Sequence, residues 1–318
     1  MKGFDAEFTD LDHYIRVITE RIWEGRRIDD IHRYYSPDCA VETPGGVSIG
    51  ADAVVQSTRD TLAAFPDREL LAEDVLQSGD EDGGFLSSHR IFSPMTHLGP
   101  GAFGLPTGRR IHVRTIADCV CRDNRIVHEW LVRDQGAIAR QIGSDAASLA
   151  RTWLAARGPR ARPAMPAPPV GYHSLRDDRP LAQSYRLLYE ALWGRPGVAA
   201  LEPACDRAIA LAAPGGEALH GHAEVRAFWA GLRGAFDSVD FRVEHLVECR
   251  RPERSPAVAL RWRVRARHAG PGRYGEPSGR PVELLGISHA EFAGQRLVRE
   301  WLLIDDVAIW MQILAPQA

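Results

Sequence analysis

The chain has 318 residues, 45% hydrophobic and 25% charged, a balance that fits soluble globular domains and excludes a disordered class. A formal charge of −3 and a pI near 6.5, with arginines spread along the chain, argue against a nucleic-acid partner, which usually leaves a basic stripe. The five cysteines (Cys39, Cys119, Cys121, Cys205, Cys249) are an odd number without a CxxC pair, so small buried residues in a reducing compartment are expected rather than a disulfide framework.

The first residues, MKGFDAEFTDLDHYIRV, are acidic and lack an apolar core, so they do not read as a signal peptide. No run approaches the length of a membrane span, and the expectation is a cytoplasmic protein with no membrane partner. Leu11, Tyr14, Ile15, Ile18 and Ile22 recur at helical spacing and predict a helix to Glu24, with Gly25 as its cap. A second short helix is expected over Ile28–Tyr35, stopped by Pro37. Cys39–Thr43 reads as a strand, Pro44-Gly45-Gly46 as a turn before a short strand to Ile49, and Ala51–Phe65 as a third helix. Strands follow over Glu69–Ser78, Gly84–His97, Arg110–Arg122 and Arg125–Arg133, the last two joined by a tight Asp123-Asn124 turn. Helices first and a meander of long strands afterwards predict an α+β domain.

A trailing helix is expected over Ala146–Ala156, then a Pro-rich linker without periodicity over residues 157–178. The plan then repeats. Helices are predicted over Leu181–Trp193 and Ala223–Phe236, and strands over Phe241–Cys249, Ala257–His268, Val282–Phe292 and Gln295–Ile304. His97–Ile142 aligns without a gap to His268–Ile313 at an offset of 171, with 19 of 46 positions identical, so the chain is a tandem duplication. Domains are expected over residues 1–156 and 179–318.

The loop HLGPGAFGLPTGRR, the hairpin CRDNRIVHEW and the tail W-x-x-x-D before AIARQI resemble the SnoaL-like polyketide cyclase, or ester cyclase, branch of the nuclear transport factor two and ketosteroid isomerase superfamily. There the pieces read roughly H-T-G-x-F-x-G-x-P-x-T-G-(K/R)-(K/R), D-G-K-I-x-E-x-W and D-x-x-x-x-x-x-Q. The resemblance implies two tandem cone-shaped α+β barrels, each a curved antiparallel sheet wrapped around N-terminal helices, with an apolar pocket holding a few polar groups. It also implies an intramolecular pseudo-dimer, open to further homo-oligomerisation. In characterised cyclases of the family an aspartate on the third long strand is the general acid/base, without metal or cofactor. That aspartate falls on Ala117 here and on Ser288 in the second half, neither of which can take a proton from carbon.

Several other groups could carry the chemistry. Asp118 and His289 stand one residue further on, on the opposite strand face unless a bulge turns them inward. His97 and His268 occupy the place of the family's H-x-G histidine; an imidazole titrating near ~6.5 can be an acid or a base, or can simply hold the glycine loop. Asp134 and Asp305 could be bases with raised pKa in an apolar cone, or caps on a following helix. Arg109 could meet an anionic substrate or make a structural ion pair, and Trp130 and Trp301 read as wall residues of core or pocket. No metal-ligand spacing, phosphate loop or G-x-S-x-G elbow occurs in the sequence, so no cofactor is expected.

The two halves differ at Asp118 against His289, His112 against Glu283 and Arg114 against Leu285, which suggests one active pocket, in the first half, and one diverged. Three functions fit: a cofactor-independent cyclase or isomerase acting on a small hydrophobic, carbonyl, lactone or polyketide-like substrate, an epoxide or other hydrolase on the same fold, or a non-catalytic binding module. Fold analogy does not choose among them.

Overall fold

The structure, a computed structural model, describes residues 1–157 and 177–316; the expected linker lies outside them except for Arg157, Asp177 and Asp178. Backbone contacts divide the described chain into two units, residues 1–145 and residues 146–157 with 177–316. The helix expected to trail the first half, Ala146–Arg157, is grouped with the second unit, where it packs on the C-terminal helix.

In the first unit, α1 (Leu11–Thr19) starts where the Asp10 carboxylate accepts the His13 N–H at 2.8 Å, and it buries Leu11, Tyr14, Ile15 and Ile18. The expected continuation to Glu24 is a π-turn over Glu20–Glu24, in which the Gly25 N–H reaches back five residues to the Glu20 carbonyl at 2.8 Å. A 3-10 turn (Ile28–Asp30) and α2 (Ile31–Tyr34) lead into β1 (Tyr35–Thr43). Pro37 therefore lies inside a strand rather than ending a helix. The register of β1 breaks between Tyr35 and Ala40, a stretch where a residue without an N–H costs no ladder bond.

Then come β2 (Gly46–Ile49), α3 (Ala51–Ala64), β3 (Leu71–Asp80), β4 (Gly84–Thr96), β5 (Arg110–Arg122), β6 (Arg125–Arg133) and α4 (Gln135–Ile142). Asp123 and Asn124 take positive φ in the turn between β5 and β6, as a two-residue hairpin requires.

The sheet order is β2-β1-β6-β5-β4-β3. The sheet is open, which corrects the expected barrel, and mixed rather than antiparallel, because β1 runs parallel to β6. A parallel neighbour needs a long crossover, and here β2, α3 and β3 to β5 lie between these two strands.

The second unit repeats this plan: α5 (Ala146–Arg157) and α6 (Pro180–Trp193), then a 3-10 turn (Gly197–Ala200), α7 (Leu201–Ala204), β7 (Cys205–Ala213), β8 (Glu217–His220), α8 (Gly221–Gly234), β9 (Phe236–Cys249), β10 (Ala257–His268), β11 (Pro281–Ala293), β12 (Arg296–Leu303) and α9 (Asp306–Leu314). Its order is β8-β7-β12-β11-β10-β9, again with the first long strand parallel to the last. Phe236 opens β9 instead of closing a helix, since pairing of Asp237 with Arg267 carries the strand back to the end of α8.

The repeated H-x-G loop has a steric cause. The Leu98 and Gly99 N–H groups both donate to the Ala64 carbonyl, at 3.0 and 3.1 Å, which lays the loop across the end of α3. A Cβ on Gly99 would stand 1.8 Å from the Ala63 carbonyl oxygen, and one on Gly270 1.8 Å from that of Gly234.

The sheet face that meets the helices is the interior of each unit, and the two interiors differ. In the second unit one continuous apolar cluster runs from Leu181 and Tyr185 to Ile309 and Ile313. Among the described residues of the first unit two separate interior clusters stand out: one joins Tyr14, Ile15 and Ile18 to Ala117, Cys119 and Cys121, and the other joins Phe65, Met95, Ile111 and Val113 to Ile138 and Ile142. Thr115 lies between them.

Candidate functional site

The seam between the two clusters is lined by polar side chains. Strand register places His89, Ala117 and Leu131 side by side on the interior face, with Ile91, Thr115 and Arg133 in the next row and Ser93 beside Val113 beyond it. The buried Nε2 of His89, Oγ1 of Thr115 and Oγ of Ser93 have no hydrogen-bond partner. Buried polar groups are nearly always paired, so three in one seam make it the candidate surface for a small molecule.

One row on, Glu129 faces the interior opposite Cys119. The residue is 4% exposed, and burial raises its pKa to about 7, against the lowering effects of a hydrogen bond from the Tyr35 phenol and of the Arg133 charge. Burial pushes Tyr35 well above the usual phenol value, so it stays protonated and donates. His89 is driven the other way, to about 3, mainly by burial, and is neutral. Near neutral pH Glu129 is thus the group in this interior able both to take and to return a proton. The sequence signal for it was faint: a glutamate repeated as Glu129 and Glu300 before the two matching tryptophans, at a place the family pattern leaves open.

The second unit has the same glutamate in a closed setting. The Tyr185 and Tyr189 hydroxyls each lie 2.6 Å from one oxygen of Glu300. Ser288 stands 2.6 Å from the Tyr189 hydroxyl and receives the Trp262 indole N–H at 3.1 Å. The polar seam residues of the first unit, and Ile91 among them, have apolar or absent side chains here: Leu260 for His89, Trp262 for Ile91, Val264 for Ser93, Gly286 for Thr115, Ile304 for Arg133. The Trp262 ring sits so close over Gly286 that a Cβ there would be 2.1 Å from it. The space is filled.

The other expected residues lie elsewhere. The His97 ring is buried, its Nδ1 3.3 Å from the Thr107 hydroxyl, and its backbone bonds Gly108 and Arg109, so it ties both ends of the glycine loop. His268 repeats this, with its Nδ1 3.0 Å from the Ser278 hydroxyl. Burial lowers both imidazole pKa values, and both Nε2 atoms lack a partner. Asp134 caps α4 by accepting the Ala137 N–H at 2.9 Å, and Asp305 caps α9 by accepting from Val307 and Ala308 at 2.9 and 3.2 Å.

Asp118 is buried on the sheet face opposite Ala117 and Cys119, where it accepts the Ser88 hydroxyl at 2.5 Å and lies beside Trp130. The break in the β5–β6 register falls between Val120 and Cys121, too far along to turn Asp118 inward. Trp130 stacks near His128 at 4.3 Å, and His289 neighbours Trp301; all four face away from the interior. Arg109 is exposed and donates to the Gln141 carbonyl at 3.2 Å, anchoring the end of α4. Asp118 and Trp130 thus lie on the sheet face opposite that of Glu129, as His289 and Trp301 lie opposite that of Glu300.

Among the described residues no helix is long and apolar enough to cross a membrane, and no three His, Cys, Asp or Glu side chains gather as a metal site would require. All five cysteines are buried and free.

A family model described as SnoaL-like polyketide cyclase matches residues 14–142 and again 183–313. No curated protein matches the chain. Among solved structures, wild-type IdmH from Streptomyces antibioticus is 24% identical over 42% of this chain and 97% of its own, at TM-score 0.37. A SnoaL-like polyketide cyclase from Agrobacterium tumefaciens is 21% identical over 43% and 100%, at TM-score 0.35. An NTF2-like protein of unknown function from Burkholderia pseudomallei is 19% identical over 43% and 99%, at TM-score 0.36.

Proposed function

We propose, for a chain that belongs to the SnoaL-like polyketide cyclase family in both of its halves, that the first half (residues 1–156) is a cofactor-independent acid/base enzyme and that the second half (179–318) has lost its pocket. Family membership supports cyclase- or isomerase-type chemistry on a small molecule. The observation that carries the finer reading is the buried Glu129 beside unpaired seam groups, set against a filled counterpart around Glu300.

The substrate is a small carbonyl compound of polyketide type. Ionised Glu129 removes a proton from the carbon next to the carbonyl. The resulting enolate either attacks a second carbonyl, closing a ring, or takes the proton back at another carbon. The Thr115 and Ser93 hydroxyls and the neutral His89 are the available donors for developing oxygen charge. His97 shapes the glycine loop, and Asp134 holds the start of α4.

Deuterium exchange at the α-carbon of 2-tetralone, followed by NMR, tests this reading. The wild type should accelerate exchange with a pH profile that bends near 7, Glu129→Gln should abolish the acceleration, and Glu300→Gln should leave it unchanged. Equal exchange in the wild type and Glu129→Gln would move the first unit to a binding role.

A further inference from the structure

Glu129 stands close to an end of the first interior that its sheet does not close. It shares a row with Ser87 and Cys119, and the next row, Phe85 beside Cys121, lies about 7 Å further on. Just beyond that row β4 begins, at Gly84, and β5 ends, at Arg122. A carboxyl so near the rim of a sheet would ordinarily meet water, yet the residue is buried.

The rim is covered by residues 1–9, which run in turns and bends ahead of α1 and ahead of the family match, whose first residue is 14. The Phe4 ring packs edge-on against Phe85 and Tyr14, at 5.8 and 5.0 Å, and the buried Phe8 ring meets Tyr14 at 4.9 Å. Both rings join the apolar cluster that holds Tyr35, Cys119 and Cys121. The segment is tied to both turns at this end of the sheet. The Lys2 N–H donates to Glu81, between β3 and β4, at 2.9 Å, and the Asn124 amide, between β5 and β6, donates to Asp5 at 2.9 Å. Asp5 also pairs with Arg33 at 2.6 Å, and Glu7 accepts from Arg21 at 2.8 Å. Exposed ties of this kind contribute little, so the segment can lift while the sheet stays paired.

The groups facing Glu129 are the Tyr35 phenol and the Cys39 thiol of β1, the Cys119 and Cys121 thiols of β5, and Arg133 on its own strand. Asp5 and Glu7 instead meet their arginines at the surface. What residues 1–9 bring to Glu129 is therefore the exclusion of water rather than charge.

We propose that residues 1–9 are a strap that seals the Glu129 end of the first interior, with Phe4 and Phe8 as positioning residues that keep water from its carboxyl. This rests on the reading of Glu129 as the base. Coupling of this kind is reciprocal: a closed strap disfavours the ionised carboxylate, so ionisation loosens the strap by the same factor.

The test uses the full chain as wild type, Glu129→Gln, Phe4→Ser and Phe8→Leu. Amide hydrogen exchange of residues 1–10, corrected for the intrinsic pH dependence, is read from pH 6 to 8 beside the pH profile of 2-tetralone exchange. Protection of the strap should fall at least threefold over that range in the wild type and stay level in Glu129→Gln. Phe4→Ser should move the midpoint of the tetralone profile down by at least half a pH unit, the same factor of three, whereas Phe8→Leu, which keeps the apolar bulk, should hold it. Phenyl rings that serve stability alone would let Phe4→Ser lower the rate equally at every pH with the midpoint fixed, and that result overturns the strap. So does protection that changes alike in the wild type and Glu129→Gln. Tetralone exchange absent from the wild type, with strap protection still falling as Glu129 ionises, sinks the catalytic reading and supports the strap.

Discussion

Glu129 should make the first unit lose stability as pH rises, opposite to the behaviour of most carboxylates. Its pKa is about 7 in the folded chain against an ordinary 4.5. Below pH 4.5 both folded and unfolded chains carry the proton, and nothing is lost. Between 4.5 and 7 the unfolded chain releases it while the folded chain keeps it, so the unfolded state binds fewer protons and stability falls as pH rises. Above 7 both are ionised and the deficit is constant. At about 1.4 kcal/mol per pH unit, the gap between 4.5 and 7 amounts to about 3 kcal/mol. Glu129→Gln keeps the shape without the titration, so its stability relative to the wild type should grow by about that amount between pH 4.5 and 7.5. Amide hydrogen exchange, read by mass spectrometry on peptides from β5 and β6, reports on this unit separately from the other. A difference between the two proteins that stays level across that range would refute the argument, because it would mean Glu129 is ionised in the fold at ordinary pH.

Two more outcomes follow from geometry. Asp134→Ala should cost about 1–2 kcal/mol by uncapping α4, seen as faster amide exchange there, with the rate of the folded fraction unchanged; a large fall in rate at intact stability would return Asp134 to the chemistry. In the second unit, Gly286→Ala should cost about 1–3 kcal/mol in urea unfolding by forcing its Cβ against the Trp262 ring, whereas Thr115→Ala at the matching place of the first unit should cost under about 1 kcal/mol.

Much of the fold was legible because the signals were periodic and duplicated. The hairpin at Asp123-Asn124, the β10 span and the two halves could be read from alternation, turn residues and self-alignment. The parallel seat of β1 could not, since nothing local in Cys39–Thr43 names a partner 88 residues away. The π-turn at Glu20–Glu24 keeps the apolar spacing of the helix it interrupts, so the pattern hides it.

The candidate site was less legible. The residues that the motifs single out stand at loops and strand ends, where His97 bonds both ends of the glycine loop and Asp134 caps α4. Glu129 stood one residue from Trp130 in the same motif. Only the pairing of β5 with β6 shows that it shares a face with Ala117, the position where the family carries its acid.

The sheet order carries a further consequence for how the protein is made. In each half the last strand to be synthesised is an inner one: β6 sits between β1 and β5, and β12 between β7 and β11. As the chain leaves the ribosome, the β1–β2 hairpin and the β3–β5 meander can each form, but each must wait with a bare edge for the strand that joins them. Folding of each half is therefore gated by its own final strand. A growing polypeptide is most open to wrong pairing just before Arg125 emerges, and again just before Arg296.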